Sequence, residues 1–147
     1  MNFVDKLMRI AAKECAKQGL SDPHVAYYQC GQICGAILSA ANDLGISGIE
    51  LIGCHVKYPE KTEYSEEDGK YAGHYILKHG SVLYDFTLRQ FIPDSDFPFI
   101  SDESDCAIKE IYKDLHQSWH LSTIYDQSRK SNSQLTDSIV ERFKAER

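Results

Sequence analysis

The sequence predicts a single α+β domain, because helical patterns occupy its two ends and β-strand patterns occupy its middle. A chain of 147 residues is long enough to bury one core without disulfide staples. Helices, then strands, then helices again differ from the regular alternation of βαβ units. We therefore expect one domain over residues 1–147, with N-terminal helices packed on a small antiparallel sheet. Its core covers about residues 20–100, and a C-terminal helical segment covers about 104–147.

Two amphipathic helices are predicted ahead of the first strand. Apolar side chains recur at offsets of three and four over residues 3–17, and Gly19 follows as a stop signal. A second stripe of apolar and small residues runs from about Cys30 to Leu44, where Gly45 ends it. The short polar turn between the two patterns separates them, so we expect two distinct helices.

Three strands are predicted in the middle of the chain. Residues 49–56 are rich in Ile and Val, and two further runs of β-formers follow at about 72–78 and 82–86. The last two runs are joined by a short link that contains Gly80, which is typical of a β-hairpin. Residues 59–70 are acidic and rich in turn formers, and they predict a surface loop.

The remainder of the chain is predicted to be irregular and then helical. Residues 91–104 contain two prolines and several acidic residues, which favour an irregular segment. Helices are expected over about 105–118 and 134–145, with a polar linker at 128–133 between them. These two helices would form the C-terminal segment of the domain.

The charge and the cysteine content exclude several classes of function. A formal net charge of -6 without a basic cluster disfavours nucleic acid as the main partner. No run approaches the roughly 18 apolar residues of a membrane span, and Met1–Lys6 does not begin a secretory signal. Five cysteines without an export signal predict free thiols in a reducing compartment. The expected location is the cytoplasm, or a target cell reached by a signal-independent route.

Three residues that carry chemistry follow one another in the chain. Cys30 stands at the start of the second predicted helix, where the helix dipole and free N–H groups favour the reactive thiolate. The same N–H groups can stabilise an oxyanion. His74 begins one hairpin strand and can accept the thiol proton, and Asp85 on the returning strand can orient the imidazole. In an antiparallel hairpin the Cβ atoms of His74 and Asp85 are expected about 5 Å apart.

Two segments resemble a known superfamily. Residues 73–78 (Gly-His-Tyr-Ile-Leu-Lys) and 82–91 (Val-Leu-Tyr-Asp-Phe-Thr-Leu-Arg-Gln-Phe) are similar to the histidine strand, turn and Asp-x-Thr-x-x-Gln-Phe strand of bacterial and phage members of the papain-like/transglutaminase-like cysteine enzymes. The pattern Cys-Gly-x-x-Cys-x-x-Ile-Leu from Cys30 resembles their nucleophile helix. The resemblance covers about residues 28–91.

The resemblance implies a papain-like core and a function. Members attack an amide or thioester carbonyl through a covalent acyl-enzyme, and small members are often toxins or effectors that modify another protein. The implied activity is hydrolysis of an amide in a protein substrate, by glutamine deamidation or peptide cleavage, without a cofactor or a metal. Where papain-type enzymes carry an oxyanion-hole Gln, six residues before the nucleophile, this chain has His24. Gln29 and Gln32 are therefore the candidates for the second oxyanion donor.

Other interpretations stay open at this stage. Cys34 lies one helical turn after Cys30 and is the alternative nucleophile. The same fold would also suit a transglutaminase-like acyltransferase, or a non-catalytic protein-binding module such as an adaptor, inhibitor or immunity-type protein. A redox or metal protein that uses these two thiols together with Cys54 and His55 is a further option. The sequence does not define an oligomeric state.

Overall fold

The computed structural model describes residues 2–26, 29–57, 71–117 and 133–146, and its fold is mixed α+β. The helices are α1 (Phe3–Lys17), α2 (Pro23–Ala26), α3 (Cys30–Asp43), α4 (Cys106–Ile111) and α5 (Ser133–Ala145), with a 3-10 turn at Leu88–Gln90. The strands are β1 (Ile49–Lys57), β2 (Tyr71–His79), β3 (Val82–Asp85), β4 (Phe99–Asp102) and β5 (Tyr112–Gln117). They form one sheet in the order β4-β3-β2-β1-β5, in which all neighbouring strands are antiparallel.

The two predicted N-terminal helices are present, and their sequences explain where they begin and end. The Asn2 side chain caps α1 by accepting from the backbone N–H groups of Val4 and Asp5 at 3.0 and 3.2 Å. α1 ends in a Schellman motif around Gly19, whose φ of +82° suits glycine. α3 ends in the same way at Gly45, with φ of +69°. Both predicted glycine stops are therefore confirmed.

The sheet separates two hydrophobic layers. On one face, which we call the helix-covered face, α1, α3 and α5 pack against β1–β3 through residues such as Leu51, Leu77 and Tyr84. On the opposite face, alternate residues of the same strands pack against the 3-10 turn and α4, for example Ile52 and Ile76. The three predicted strands are confirmed in type and closely in extent.

Two expectations about the second half of the chain are wrong. The helix predicted over 105–118 ends at Ile111, and the chain continues as β5, which pairs with β1 through Val56 and Tyr112. Apolar side chains in this stretch also fit helical spacing, but pairing with the free edge of β1 outweighs that preference. The segment 91–104, expected to be irregular, contains β4, which pairs with β3 at the other edge. The C-terminal segment is therefore not purely helical.

Several other expectations concern residues outside the described part of the chain. The acidic loop at 59–70 lies wholly outside it, and the polar linker at 128–133 lies outside it except for Ser133. The C-terminal helix, predicted over 134–145, is present as α5. Within the described ranges, none of the helices combines the length and the apolar character that crossing a bilayer demands.

Candidate active site

Cys30 is the first residue of α3, as its position after a turn predicted. Gln29 occupies the N-cap position, and its side chain makes no capping hydrogen bond to the helix. The backbone carbonyl of Gln29 accepts the first helical bond from the N–H of Ile33 at 2.9 Å. The thiol therefore lies at the positive end of a helix of 14 residues, and it is half-buried.

His74 lies in β2, and its side chain is 0% exposed. Its Nε2 is 2.8 Å from Oδ2 of Asp85. The other ring nitrogen, Nδ1, is also buried, and none of the described residues meets the geometric criteria for a hydrogen bond to it. Phe91 packs edge-on against the imidazole, with ring centroids 5.0 Å apart and an interplanar angle of 89°. The ring is thus fixed by one carboxylate and one aromatic wall, which leaves Nδ1 available for a proton from another group.

Asp85 ends β3 and accepts three hydrogen bonds. Its Oδ1 accepts the backbone N–H of Thr87 at 2.9 Å, and its Oδ2 accepts the Tyr112 hydroxyl at 2.7 Å in addition to the imidazole. The β2–β3 register pairs Leu77 with Tyr84, so Asp85 falls opposite Ile76 and His74 is its diagonal neighbour. The sequence predicted nearby cross-strand positions with Cβ atoms about 5 Å apart, and the register instead places the two residues on a diagonal, where the separation is larger.

The surroundings of the site lower the pKa of Cys30 and raise the pKa of His74. Burial acts to raise the pKa of the Cys30 thiol, but the hydrogen-bonding and charge influence of His74 outweighs it and lowers that pKa below its ordinary value. Burial acts to lower the pKa of His74, but the charge of Asp85 and its hydrogen bond raise the pKa to about 10. Both changes favour a thiolate facing an imidazolium.

The three buried cysteines of the chain have the opposite character. Burial raises the pKa of Cys34 well above its ordinary value, and burial also raises that of Cys54. Burial raises the pKa of Cys15 to about 12. The Cys34 thiol donates to the Tyr75 carbonyl at 3.5 Å, so it already has a structural partner. Of the two cysteines in α3, Cys30 is therefore the one in an activating environment.

Arg89 connects the segment before α3 to the segment after Asp85. Its Nη1 donates to the Ser21 carbonyl at 2.9 Å, and its Nε donates to the Ser95 carbonyl at 2.8 Å. Both of these hydrogen bonds are to backbone carbonyls. Because these two chain segments lead into the nucleophile helix and out of β3, Arg89 helps to fix their relative position.

The structure brings Cys30, His74 and Asp85 together. Gln29 and Gln32 lie next to Cys30 along the chain, at the start of α3. Gln29 precedes the helix and Gln32 lies in its first turn, and both are half-buried. Either amide remains a candidate oxyanion donor.

Two contacts of the site were not predicted. The Thr87 N–H, which accompanies the Asp-x-Thr pattern, and the Tyr112 hydroxyl both hold Asp85. Thr87 could have been found, because Asp followed two residues later by a backbone donor is a common local turn. Tyr112 carried no signal, because its segment was assigned to a helix. Burial and the charge of Asp85 raise the pKa of Tyr112 well above its ordinary value, so the hydroxyl keeps its proton.

The four residues proposed for a metal site do not form one group, because the exposed His55 lies apart from the three thiols. Cys54 is buried and donates to the His74 carbonyl at 3.6 Å, whereas His55, next in the strand, is exposed and pairs with Asp114 at 3.3 Å. Successive strand residues point to opposite faces of a sheet, so the pair cannot bind one ion together. Among the described ranges there is no group of three or more His, Cys, Asp or Glu side chains placed to hold a metal.

Comparison of the chain with protein-family models, with curated proteins and with solved structures returned no match.

Proposed function

We propose that this protein is a cysteine-dependent hydrolase that acts on an amide of a protein substrate through a covalent acyl-enzyme. The observation that carries the proposal is the half-buried Cys30 thiol, which is activated at the start of α3 and faces a histidine bound to a buried carboxylate. Each of these groups has a defined task in acyl transfer. Glutamine deamidation and peptide cleavage share all the steps below and differ only in the amide that is attacked.

The acylation step follows from the geometry of the three residues. The Cys30 thiolate adds to the carbonyl carbon of the amide, and the C–N bond breaks as the tetrahedral intermediate collapses. The N–H groups at the start of α3 are suited to stabilise the oxyanion. His74 donates its Nδ1 proton to the departing nitrogen, which leaves as ammonia or as a peptide amine. Asp85 holds the ring by Nε2 throughout, and it does not need to accept the proton.

The acyl-enzyme is then hydrolysed by the reverse use of the same groups. Neutral His74 accepts a proton from water through Nδ1, and the resulting hydroxide adds to the thioester carbonyl. Collapse expels the Cys30 thiolate and leaves a carboxylic acid on the substrate. An amine in place of water would give an amide cross-link, which is the acyltransferase alternative. Hydrolysis is the simpler proposal because none of the described contacts marks a site for an acceptor amine.

The experiment is intact-mass analysis of a panel of unfolded proteins and glutamine-containing peptides after incubation with the protein. Deamidation gives the small mass gain of amide-to-acid conversion, peptide cleavage gives fragments, and cross-linking gives adducts. Cys30→Ala is expected to abolish every product. Cys106→Ala is the matched control, because it removes an exposed thiol outside the site and is expected to retain activity. Products that persist in Cys30→Ala would refute the proposal.

A second test does not depend on the substrate. We expect the pH midpoint of Cys30 alkylation by iodoacetamide to lie below that of an ordinary thiol, because the pKa of Cys30 is lowered. Cys106 is an exposed thiol on the same molecule, so peptide mapping gives its rate as an internal reference. A protein that serves only as a binding module would show Cys30 reacting with an ordinary thiol pKa near 8.5. That result would exclude the catalytic proposal.

A further inference from the structure

Tyr112 contacts the candidate site from the far edge of the sheet. It is the first residue of β5 and is 3% exposed, within the hydrophobic cluster of the opposite face. Its hydroxyl donates to Asp85 Oδ2 at 2.7 Å, and this is the same oxygen that lies 2.8 Å from His74 Nε2. The phenol and imidazole rings are parallel within 5°, with centroids 6.5 Å apart. One carboxylate oxygen therefore receives two donors in a dry environment.

We propose that Tyr112 is a positioning residue of the site, which acts through Asp85 and extends the Cys30–His74–Asp85 triad to a tetrad. The inference rests on the proposed function, since it names a further residue of the same machinery. Tyr112 is not a catalytic residue, because its hydroxyl donates to Asp85 and not to the thiol.

The hydrogen bonds around Asp85 explain how Tyr112 acts. The Thr87 N–H fixes Oδ1 and the Tyr112 hydroxyl fixes Oδ2, so the carboxylate plane is held at both ends. With the plane fixed, Oδ2 meets Nε2 of His74 in one orientation, and Nδ1 is directed consistently away from Asp85. Without the Tyr112 hydroxyl, His74 itself would be the one donor to Oδ2 that the described structure shows, so no other group would hold that oxygen in place.

The charges of the site give Tyr112 a second effect. In the working form the cluster contains a Cys30 thiolate, a His74 imidazolium and an Asp85 carboxylate, so it carries a net negative charge in a buried place. The positive end of the Tyr112 hydroxyl dipole lies against that charge and stabilises it. The thiols of Cys34 and Cys54 also lie close enough to Cys30 and Asp85 to interact with their charges, and both thiols stay protonated because burial raises their pKa.

The test is Tyr112→Phe, which removes one oxygen and keeps the ring in the core. The pH midpoint of Cys30 alkylation is expected to rise by about one unit, equivalent to tenfold less thiolate at a fixed acidic pH. If a substrate is in hand, kcat is expected to fall by about tenfold to a hundredfold with little change in KM. A tyrosine with only a packing role would change thermal stability and leave the midpoint of alkylation in place.

Tyr84→Phe is the matched control. Tyr84 is also buried, at 4% exposure, and its hydroxyl lies 3.5 Å from the Asp5 carboxylate on the helix-covered face. The same oxygen is thus removed from a tyrosine–aspartate contact that does not involve the site. We expect the alkylation midpoint of Tyr84→Phe to equal that of the wild type. An equal shift in both variants would overturn the inference.

A double-variant comparison tests whether Tyr112 works through Asp85. In an Asp85→Ala background, Tyr112→Phe is expected to produce no further shift in the Cys30 midpoint. An undiminished shift there would show that Tyr112 acts on the thiol by another route, and the inference would fail. If Tyr112→Phe does not fold, NMR of the wild type replaces it. The Tyr112 hydroxyl proton is then expected as a slowly exchanging resonance, and its absence would count against the tetrad.

The outcomes separate the inference from the proposed function. An ordinary thiol pKa for Cys30 in the wild type would remove the catalytic proposal and the tetrad together. A low wild-type midpoint that Tyr112→Phe leaves unchanged would overturn the tetrad alone. A low wild-type midpoint that rises in Tyr112→Phe and not in Tyr84→Phe would support both.

Discussion

The two faces of the sheet are built from alternate residues of the same strands and have different chemistry. The helix-covered face packs strand residues such as Leu51, Leu77 and Tyr84 against three helices, and its buried polar residues, Glu14 and Thr136, lie on the helices. The opposite face buries the polar side chains of His74 and Asp85, at 2% exposure each, among residues such as Ile76. The strand residues of the helix-covered face are thus those expected of a core that serves stability alone. The opposite face differs because it buries an ionisable pair.

The departure is informative because burial of polar groups is costly without partners. On the opposite face the Asp85 carboxylate has three donors, and His74 has Asp85 on one nitrogen. The other nitrogen, Nδ1, has no complete hydrogen bond within the described structure, although the Cys30 thiol lies close enough to have its pKa lowered by the ring. Most buried polar side-chain atoms in folded proteins have a hydrogen-bond partner, so this nitrogen calls for an explanation. The proposed transfer of a proton between the Cys30 thiol and this nitrogen would explain why it has no other partner in the part of the chain that the structure describes.

The largest expected effect is that of Asp85→Ala on stability. Removing the carboxylate leaves the His74 ring and the Tyr112 hydroxyl buried without their acceptor. We expect the free energy of unfolding at pH 7 to fall by about 3–5 kcal/mol, the range for breaking a buried ion pair on one side. Urea denaturation monitored by circular dichroism measures the change.

Asp102→Ala provides the contrast for Asp85→Ala. Asp102 also ends a strand and accepts hydroxyl hydrogen bonds from Ser81 and Ser104 at 2.7 and 2.6 Å, but it is exposed. Water can replace the lost carboxylate there, so a much smaller loss is expected. Equal losses in the two variants would mean that the burial of the His74–Asp85 pair is energetically unimportant.

The next effect is a dependence of stability on pH. The folded-state pKa of His74 is raised, to about 10, from an unfolded value near 6.5. The stabilisation from imidazolium is complete below about pH 6.5 and is lost as the pH rises through the folded value, because the folded state then holds a proton that the unfolded state has released. The free energy of unfolding is thus expected to fall with rising pH over this window, by at most about 1.4 kcal/mol per unit for one proton.

Cys30 contributes with the opposite sign, so the experiment should remove it. Its lowered thiol pKa gives stability that is present above the unfolded value and lost as the pH falls. In Cys30→Ala the contribution of His74 to the pH dependence of stability is no longer opposed by that of Cys30. Denaturation of Cys30→Ala across pH 6.5–10 is compared with that of Cys30→Ala/His74→Gln, in which the slope should be smaller. Parallel curves for the two proteins would contradict a raised His74 pKa.

Much of the fold was predictable because local signals and tertiary structure agree. α1 and α3 have apolar periodicity and glycine stops, and the β2–β3 hairpin has its turn at Gly80. β4 and β5 were missed because an edge strand is defined by the partner that it pairs with. Tyr112–Gln117 has no strong strand pattern of its own and becomes a strand by pairing with β1.

The candidate site was predictable to about the same extent as the fold. The part of it that was missed depends on a strand that was also missed. Cys30, His74 and Asp85 lie within segments whose local structure was correctly assigned, so their convergence followed from the order of helix and hairpin. The contact from Tyr112 spans residues 85 and 112 and depends on β5. A pattern within one segment contains no information about such a long-range neighbour. The exact register was also beyond prediction, because it placed the histidine and the aspartate on a diagonal.

The smallest effect expected is that of Cys34→Ala, which compares two thiols of one helix. Cys34 is 5% exposed and belongs to the apolar cluster of the helix-covered face, where its thiol donates to the Tyr75 carbonyl. Loss of one sulfur from this packed position should lower the free energy of unfolding by about 1 kcal/mol. Denaturation in urea measures that loss.

Cys34→Ala should leave the alkylation profile of Cys30 essentially unchanged, because the thiol pKa of Cys34 is raised by burial and it carries no charge near neutrality. Cys30→Ala should show the reverse behaviour, with little loss of stability and no low-pH alkylation. If low-pH alkylation instead disappeared in Cys34→Ala and persisted in Cys30→Ala, the nucleophile would lie one helical turn further along α3. The reactive thiol would then lie inside the apolar layer of the helix-covered face. The contrast between an apolar face and a face that carries the site would no longer hold.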